Sequence, residues 1–185
     1  MKSLLIYVGI MLMSFYQAQN LPLNTGFSTI PAGAHLKDTN SELSPYIGNY
    51  VANFNGNEIT LFITKLEDKL EQTGQKNYYM DALIVKYTIK NSSGSLLQDT
   101  QNNNLSTSAL YSIDIDSIEN TINFVYTGTN CNVGFGGIKL KKISSTQISW
   151  EYRPNDVTTT ADKCPPNLDT TIYLPIIKDL IFTKQ

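Results

Sequence analysis

The residues best suited to chemistry in this chain are few and scattered. Asp81 stands inside the apolar run Asn77-Tyr-Tyr-Met-Asp-Ala-Leu-Ile-Val-Lys-Tyr-Thr-Ile-Lys90. Period-two alternation sets it on the face of Leu83 and Val85. A carboxylate in such surroundings needs a partner or a shifted pKa. Two roles are open to it: anchoring a polar ligand group inside the fold, or pairing with a Lys or capping a bulge. The second is the commoner. Tyr79 and Tyr87 fall on the same side, and Trp150 shares a face with Ile148 and Tyr152. Aromatics lined up around a cavity can stack on a ligand, although strand propensity alone also accounts for them. Asp81, Tyr79, Tyr87 and Trp150 are the candidate ligand-binding residues.

The remaining constellations are weaker. Asp114, Asp116 and Glu119 crowd a turn. Oxygen-rich turns can hold calcium, but this spacing matches no calcium loop, and no metal is expected. Gly134-Phe-Gly-Gly137 is followed by neither a helix nor a Lys-Ser/Thr pair, so it is not a phosphate loop. It reads as a bend that lets Cys131 reach Cys164. These two cysteines are the only ones. An even pair in an oxidising compartment implies a disulfide, the alternative being two buried thiols. The single His, His35, lies in a turn-rich stretch and reads as a solvated or capping residue. With no nucleophile motif beside it, no catalytic residue and no cofactor is assigned, and the protein is not expected to be an enzyme.

These residues are positioned by strands. The segment Tyr46–Lys65 reads as a β-hairpin. Tyr50, Ala52 and Phe54 share one face of its first arm, and Ile59, Leu61 and Ile63 share one face of its second. Its hinge, Asn55-Gly56, suits a type I′ turn, which needs positive φ at both central residues. Glu67–Lys76 is charged and reads as a loop. The long run Asn77–Lys90 follows, with a bulge or strong curvature expected from its length. Further strands are expected over 95–100, 109–115, 121–127, 138–143, 147–152, 170–174 and 178–183, the last two separated by Pro175. About nine or ten short strands without a long helix predict an all-β fold. Sequential hairpins favour an antiparallel up-and-down β-barrel, with a β-sandwich as the alternative.

The chain has 185 residues, 14 Lys+Arg and 16 Asp+Glu, for a net charge of −2. That balance carries no basic patch for nucleic acid and no acidic block. Residues 1–19 run basic, apolar, then small, the order of a secretory signal peptide. The apolar part is too short for a comfortable membrane span of about 20 residues. Cleavage there would remove Lys2 and leave a net charge of −3 with no transmembrane segment. The expected organisation is a signal peptide over 1–19, a lead-in arm over 20–44 that plugs or crosses the sheet, and one barrel domain over 45–185. Its location would be exported, periplasmic or extracellular.

The stretches His35-Leu-Lys-Asp-Thr-Asn-Ser-Glu-Leu43, Tyr46-Ile-Gly-Asn-Tyr50, Phe54-Asn-Gly56, Tyr79–Tyr87, Leu174-Pro175 and Leu180-Ile-Phe-Thr-Lys184 resemble an uncharacterised family of small secreted proteins from Gram-negative bacteria, a domain of unknown function. That resemblance implies no activity. Gly48 and Tyr50 also resemble the Gly-x-aromatic element that opens lipocalin-like barrels, where the aromatic packs across the closed end. The functional expectation is a binding module for a small apolar or aromatic ligand. The alternative is a non-catalytic interaction protein of the cell surface that meets an envelope component.

Overall fold

The computed structural model describes residues 19–102, 110–157, 160, 162 and 164–185. The expected signal segment lies outside these residues but for its last position. Among the described residues there are eleven strands: β1 Asn20–Pro22, β2 His35–Lys37, β3 Gly48–Phe54, β4 Asn57–Gln72, β5 Asn77–Lys90, β6 Leu96–Asp99, β7 Leu110–Asp116, β8 Thr121–Tyr126, β9 Gly136–Lys142, β10 Gln147–Pro154 and β11 Leu180–Lys184. Among the described residues the only helical pieces are three single 3-10 turns, and no helix is long and apolar enough to cross a membrane.

Eight of the strands close on themselves. β3, β4, β5, β7, β8, β9, β10 and β11 follow one another around an antiparallel ring, which β11 shuts by pairing Thr183 with Val51 and Lys184 with Tyr50. Each strand neighbours the one next to it in the chain apart from the excursion through β6, so the barrel is an up-and-down meander. Three strands lie outside it. β6 pairs β5 near Thr88–Lys90, and β1 and β2 form a parallel pair that adds to β5 at Tyr79 and Met80.

The hinge of the first hairpin is as its residues require. Asn55 and Gly56 take φ of 50° and 79°, and the register pairs Phe54 with Asn57 and Tyr50 with Leu61. Replacing Gly56 by Ala puts a Cβ into the left-handed region at a cost of about 1 kcal/mol. A melting temperature lower by about 2–4 °C is expected in a calorimetric scan. An unchanged scan would contradict a turn-defined register.

Opposed residues share a face, and the register assigns the interior. Tyr50, Ile59, Leu61, Ile63, Val85, Tyr87 and Ile89 point inward from one wall, and Phe124, Tyr126, Leu140, Trp150, Tyr152 and Phe182 from the other; none is more than 2% exposed. With no water-sized gap beside them, these residues form a packed core and not a chamber. Rings meet at angles typical of aromatic cores: Tyr126 against Tyr152 at 5.7 Å and Trp150 against Phe182 at 5.8 Å.

Both ends are covered. Strand directions put the lead-in, with buried Leu43 and Tyr46, at the end where β5 starts. The turns after β8 and β10 lie at the opposite end. There Cys131 and Cys164 are joined in a disulfide, and Leu174 is buried.

Two expected elements differ. The charged stretch after Lys65 is not a loop: β4 runs through it to Gln72, and only Thr73 to Lys76 turns. Glu67, Asp68 and Gln72 are exposed to water there and Lys69 pairs with Glu71, so charge does not oppose strand pairing. Thr170–Leu174 is not a strand. Its backbone lies outside any ladder, and Leu174 plugs the end of the barrel.

Candidate functional site

Asp81 faces inward at the rim, one step beyond Leu83 on the interior face of β5. Four donors surround its carboxylate. Oδ1 accepts from Lys37 Nζ at 3.1 Å and from the Asp68 backbone N–H at 3.2 Å. Oδ2 accepts from the Asp38 N–H at 3.1 Å and lies 3.4 Å from Lys65 Nζ. The residue is 4% exposed. Burial alone would raise its pKa. The two backbone N–H groups and the Lys37 ammonium more than offset this and hold the carboxyl below its usual range.

Each partner is delivered by local structure. Lys65 is the interior-facing residue opposite Leu83 on β4. Asp68 sits in a β-bulge between Leu66 and Lys69 with φ of 51°, a left-handed position that Asp tolerates, and the bulge turns its N–H toward Asp81. Lys37 ends β2, whose parallel register sets it beside Asp81. Asp38 follows it. Its Oδ1 caps the N–H groups of Glu42 and Leu43, and its Oδ2 lies 3.3 Å from Lys65 Nζ. His35 stacks on Tyr79 at 4.6 Å and brings Nδ1 to 2.7 Å from Asp68 Oδ1. The cluster is thus a clamp that fastens the lead-in arm to the barrel. Asp81 takes both structural options considered for it, since it pairs with Lys and holds a bulge.

The other candidate residues do not converge with it. Tyr87 is interior, its hydroxyl 3.5 Å from that of Tyr126, and burial first, then the neighbouring tyrosines, push its pKa up. Trp150 donates its indole N–H to Pro175 O at 2.9 Å and fastens the plug. Tyr152 donates to Gly134 O. Asp114 meets Asn123, Asp116 caps the N–H groups of Ile118 and Glu119, and Glu119 pairs with Lys139.

Gly48 and Tyr50 sit at the rim nearest the lead-in. Lys184 reaches back from the last strand, donates to Ile47 O at 2.8 Å, and lies 5.7 Å from the centre of the buried Tyr50 ring. Lys142 donates to the Tyr50 hydroxyl at 3.3 Å. Burial, then the neighbouring Lys184 charge, push the Lys142 pKa down. Gly48 has φ of +139°, and a Cβ there would lie 2.5 Å from Lys184 Cε. Gly48→Ala is expected to lower stability by about 2 kcal/mol through backbone strain and displacement of Lys184. Urea unfolding measures it, and a loss smaller than about 0.5 kcal/mol, the ordinary surface range, would refute the strain argument.

Sequence reasoning missed a second feature. The outer faces of β8, β9 and β10 form the floor of a trough of about 1100 Å³. Ile113 and Ile118 on the β7–β8 hairpin stand over one side, Ile118 being 98% exposed, and Lys178 and Asp179 bound the other. Its ionic residues are four carboxylates, Asp114, Glu119, Glu151 and Asp179, and four cations, Lys139, Lys141, Arg153 and Lys178. The one sequence signal for it was Gly136-Gly137 at the head of a strand. Gly136 packs against the β10 backbone, which leaves no room for a Cβ, but above Gly137 nothing lies within 4 Å.

A family model described as a family of unknown function, DUF6705, matches residues 1–185. No curated protein and no solved structure matches the chain.

Proposed function

The chain belongs to this family of unknown function, and we propose that it is an exported, non-catalytic binding module that works through the outer trough of its barrel. The observation that carries this reading is where space is found. The inward side chains fill the interior, while the trough on the outer wall stays open. A small apolar ligand among the inward tyrosines is left without a chamber among the described residues. The carboxylate expected to hold such a ligand has its oxygens engaged by the clamp. Export is supported by the order of residues over 1–19 and by the Cys131–Cys164 disulfide.

Trp150 is the only Trp and lies in the interior, so its fluorescence reports there. Titration with N-phenyl-1-naphthylamine is expected to give no saturable emission and no quenching of Trp150. A stoichiometric, saturable signal with Trp150 quenching would overturn the reading in favour of an interior site. Expression of the full chain in a Gram-negative host tests export. Mass spectrometry of the exported fraction should find an N-terminus near Asn20, and an uncleaved chain retained in the cytoplasm would refute it.

A further inference from the structure

We propose that the trough is a binding site for a neutral oligosaccharide, a conclusion that rests on reading the trough as the ligand surface. The floor is ordered in three rows across three strands. Thr121, Lys141 and Ser149 stand side by side in the first. Asn123, Lys139 and Glu151 form the second, and Val125, Gly137 and Arg153 the third. Strands are about 4.8 Å apart and successive rows about 7 Å apart, so hydrogen-bonding groups recur in two directions across the floor. In the first two rows a lysine, whose ammonium has three donors, stands between residues that carry oxygen acceptors; the Lys139 ammonium pairs with Glu119, and Arg153 donates to Glu151. Vicinal hydroxyls of a sugar ring both give and accept hydrogen bonds, and such rows meet both needs.

Two further observations point to a ligand. The side-chain oxygens Thr121 Oγ1 and Asn123 Oδ1 are buried and meet no hydrogen-bond partner among the described residues. Thr121 is 5% exposed, and a buried hydroxyl gains from any partner that a ligand brings to it. Each lies across from a lysine, Lys141 and Lys139, whose stem is flexible; the Lys139 head pairs with the exposed Glu119. Gly137 is the second. A glycine inside a strand packs nothing, and the open space above it allows a ring to lie against the bare backbone. Phe135, 39% exposed at one end, offers an aromatic surface for the apolar face of a sugar.

Competing occupants fit worse. β8, β9 and β10 are each hydrogen-bonded on both edges, so no free ladder can receive an extended peptide. Eight ionic side chains make a poor seat for an acyl chain or an apolar ring. Four cations against four carboxylates leave no net field to hold an anionic polymer.

The test uses the protein with cellohexaose, mannohexaose, maltohexaose and xylohexaose, beside hexagalacturonate and an alternating Lys-Glu decapeptide. Binding is read by calorimetry and by amide chemical shifts. At least one neutral hexasaccharide is expected to shift the amides of β8–β10. Gly137→Trp, which fills the open space, and Glu151→Gln should each weaken that binding by about tenfold or more, the effect of losing a well-placed polar contact. The melting temperature of Gly137→Trp should stay near that of the parent, because a Cβ there meets nothing within 4 Å and the indole extends into the open trough. Shifts at the same residues from hexagalacturonate or the decapeptide alone would overturn the ligand class and leave the outer-surface reading standing. Saccharide binding indifferent to both substitutions, or no saccharide binding, would overturn the proposal.

Discussion

Asp81→Ala is expected to destabilise the protein by about 3 kcal/mol at neutral pH, the lower end of what breaking a buried ion pair costs. The substitution strands two ammonium groups and two backbone N–H groups that now converge on one carboxylate. The Lys37 and Lys65 side chains are 25% and 24% exposed, so water can recover part of their solvation, and this places the estimate at the low end. Asp81→Asn keeps one acceptor oxygen and should lose less. The pH dependence has a definite sign. Folding lowers the Asp81 pKa from its ordinary 3.8, so the unfolded chain takes up the proton more readily. The stabilisation is complete above the unfolded value and drains as pH falls through the folded one. Lys37 and Lys65 are raised above 10.5. For Lys37 the Asp68 hydrogen bond is the largest cause. For Lys65 burial acts the other way, but Asp38 and Asp81 outweigh it. Their contribution is present below the unfolded value and is lost as pH rises through the folded one. The clamp is therefore strongest between about pH 5 and pH 10. Urea unfolding of parent and Asp81→Asn at pH 7 and pH 3 should show the two converging in acid. An equal gap at both would refute an ionised, paired Asp81. Trypsin supplies a local readout, because the loosened arm should be cut at Lys37 sooner than the barrel unfolds.

The sequence showed the barrel more clearly than it showed the site, and particular residues explain why. Asn55-Gly56 and the alternation on either side are local signals, and they placed the first hairpin and its register. The meander followed because each barrel strand pairs with a near neighbour in the chain. Nothing local announces that β2 pairs in parallel with β5, some 40 residues away, because a three-residue strand has no measurable period. The second half of β4 was hidden by its charges, which in sequence resemble those of a loop and here decorate a strand on which they meet water or pair. Leu174 misled in the opposite way: its apolar neighbours suggested a strand, yet they serve as a plug. Asp81 was conspicuous as a carboxylate in an apolar run, but its four partners come from a bulge, a parallel strand and an arm. The trough was least visible of all. Its floor uses the outward positions of three strands, and outward polar residues look alike whether they meet a ligand or only water.

Loss of the disulfide should cost at least as much as loss of Asp81. Cys131 and Cys164 are separated by 33 residues, and in the chain-entropy model closing such a loop stabilises the fold by about 3–4 kcal/mol. The bond also acts on the structure it joins. Cys131 lies in the turn after β8, where Cys131 and Asn132 both take φ of 60°. That turn is tied to the plug by Thr129 Oγ1 donating to Thr170 O at 3.2 Å and Asn130 Nδ2 donating to Asp169 O at 2.7 Å. These contacts are weak alone, because their groups are exposed or half-buried and water competes for them. Without the covalent tie the plug keeps these bonds, buried Leu174, the packing of Ile172 and Tyr173 on the core, the Trp150–Pro175 hydrogen bond and the Tyr152 N–H donated to Ile177 O at 3.1 Å. Cys131→Ala/Cys164→Ala should therefore lower the urea midpoint by the equivalent of about 3–4 kcal/mol. Its Trp150 emission should shift red before the main transition, as the plug lifts and water reaches the indole. Trp150→Phe in the same background removes the bond to Pro175 and should add to the loss, because both changes weaken one closure. A midpoint within about 1 kcal/mol of the parent would mean that the loop is already constrained in the unfolded chain, and the entropic account would fail. A coincident red shift and global transition would mean that plug and barrel unfold as one unit, and the closure would not be a separable part of the fold.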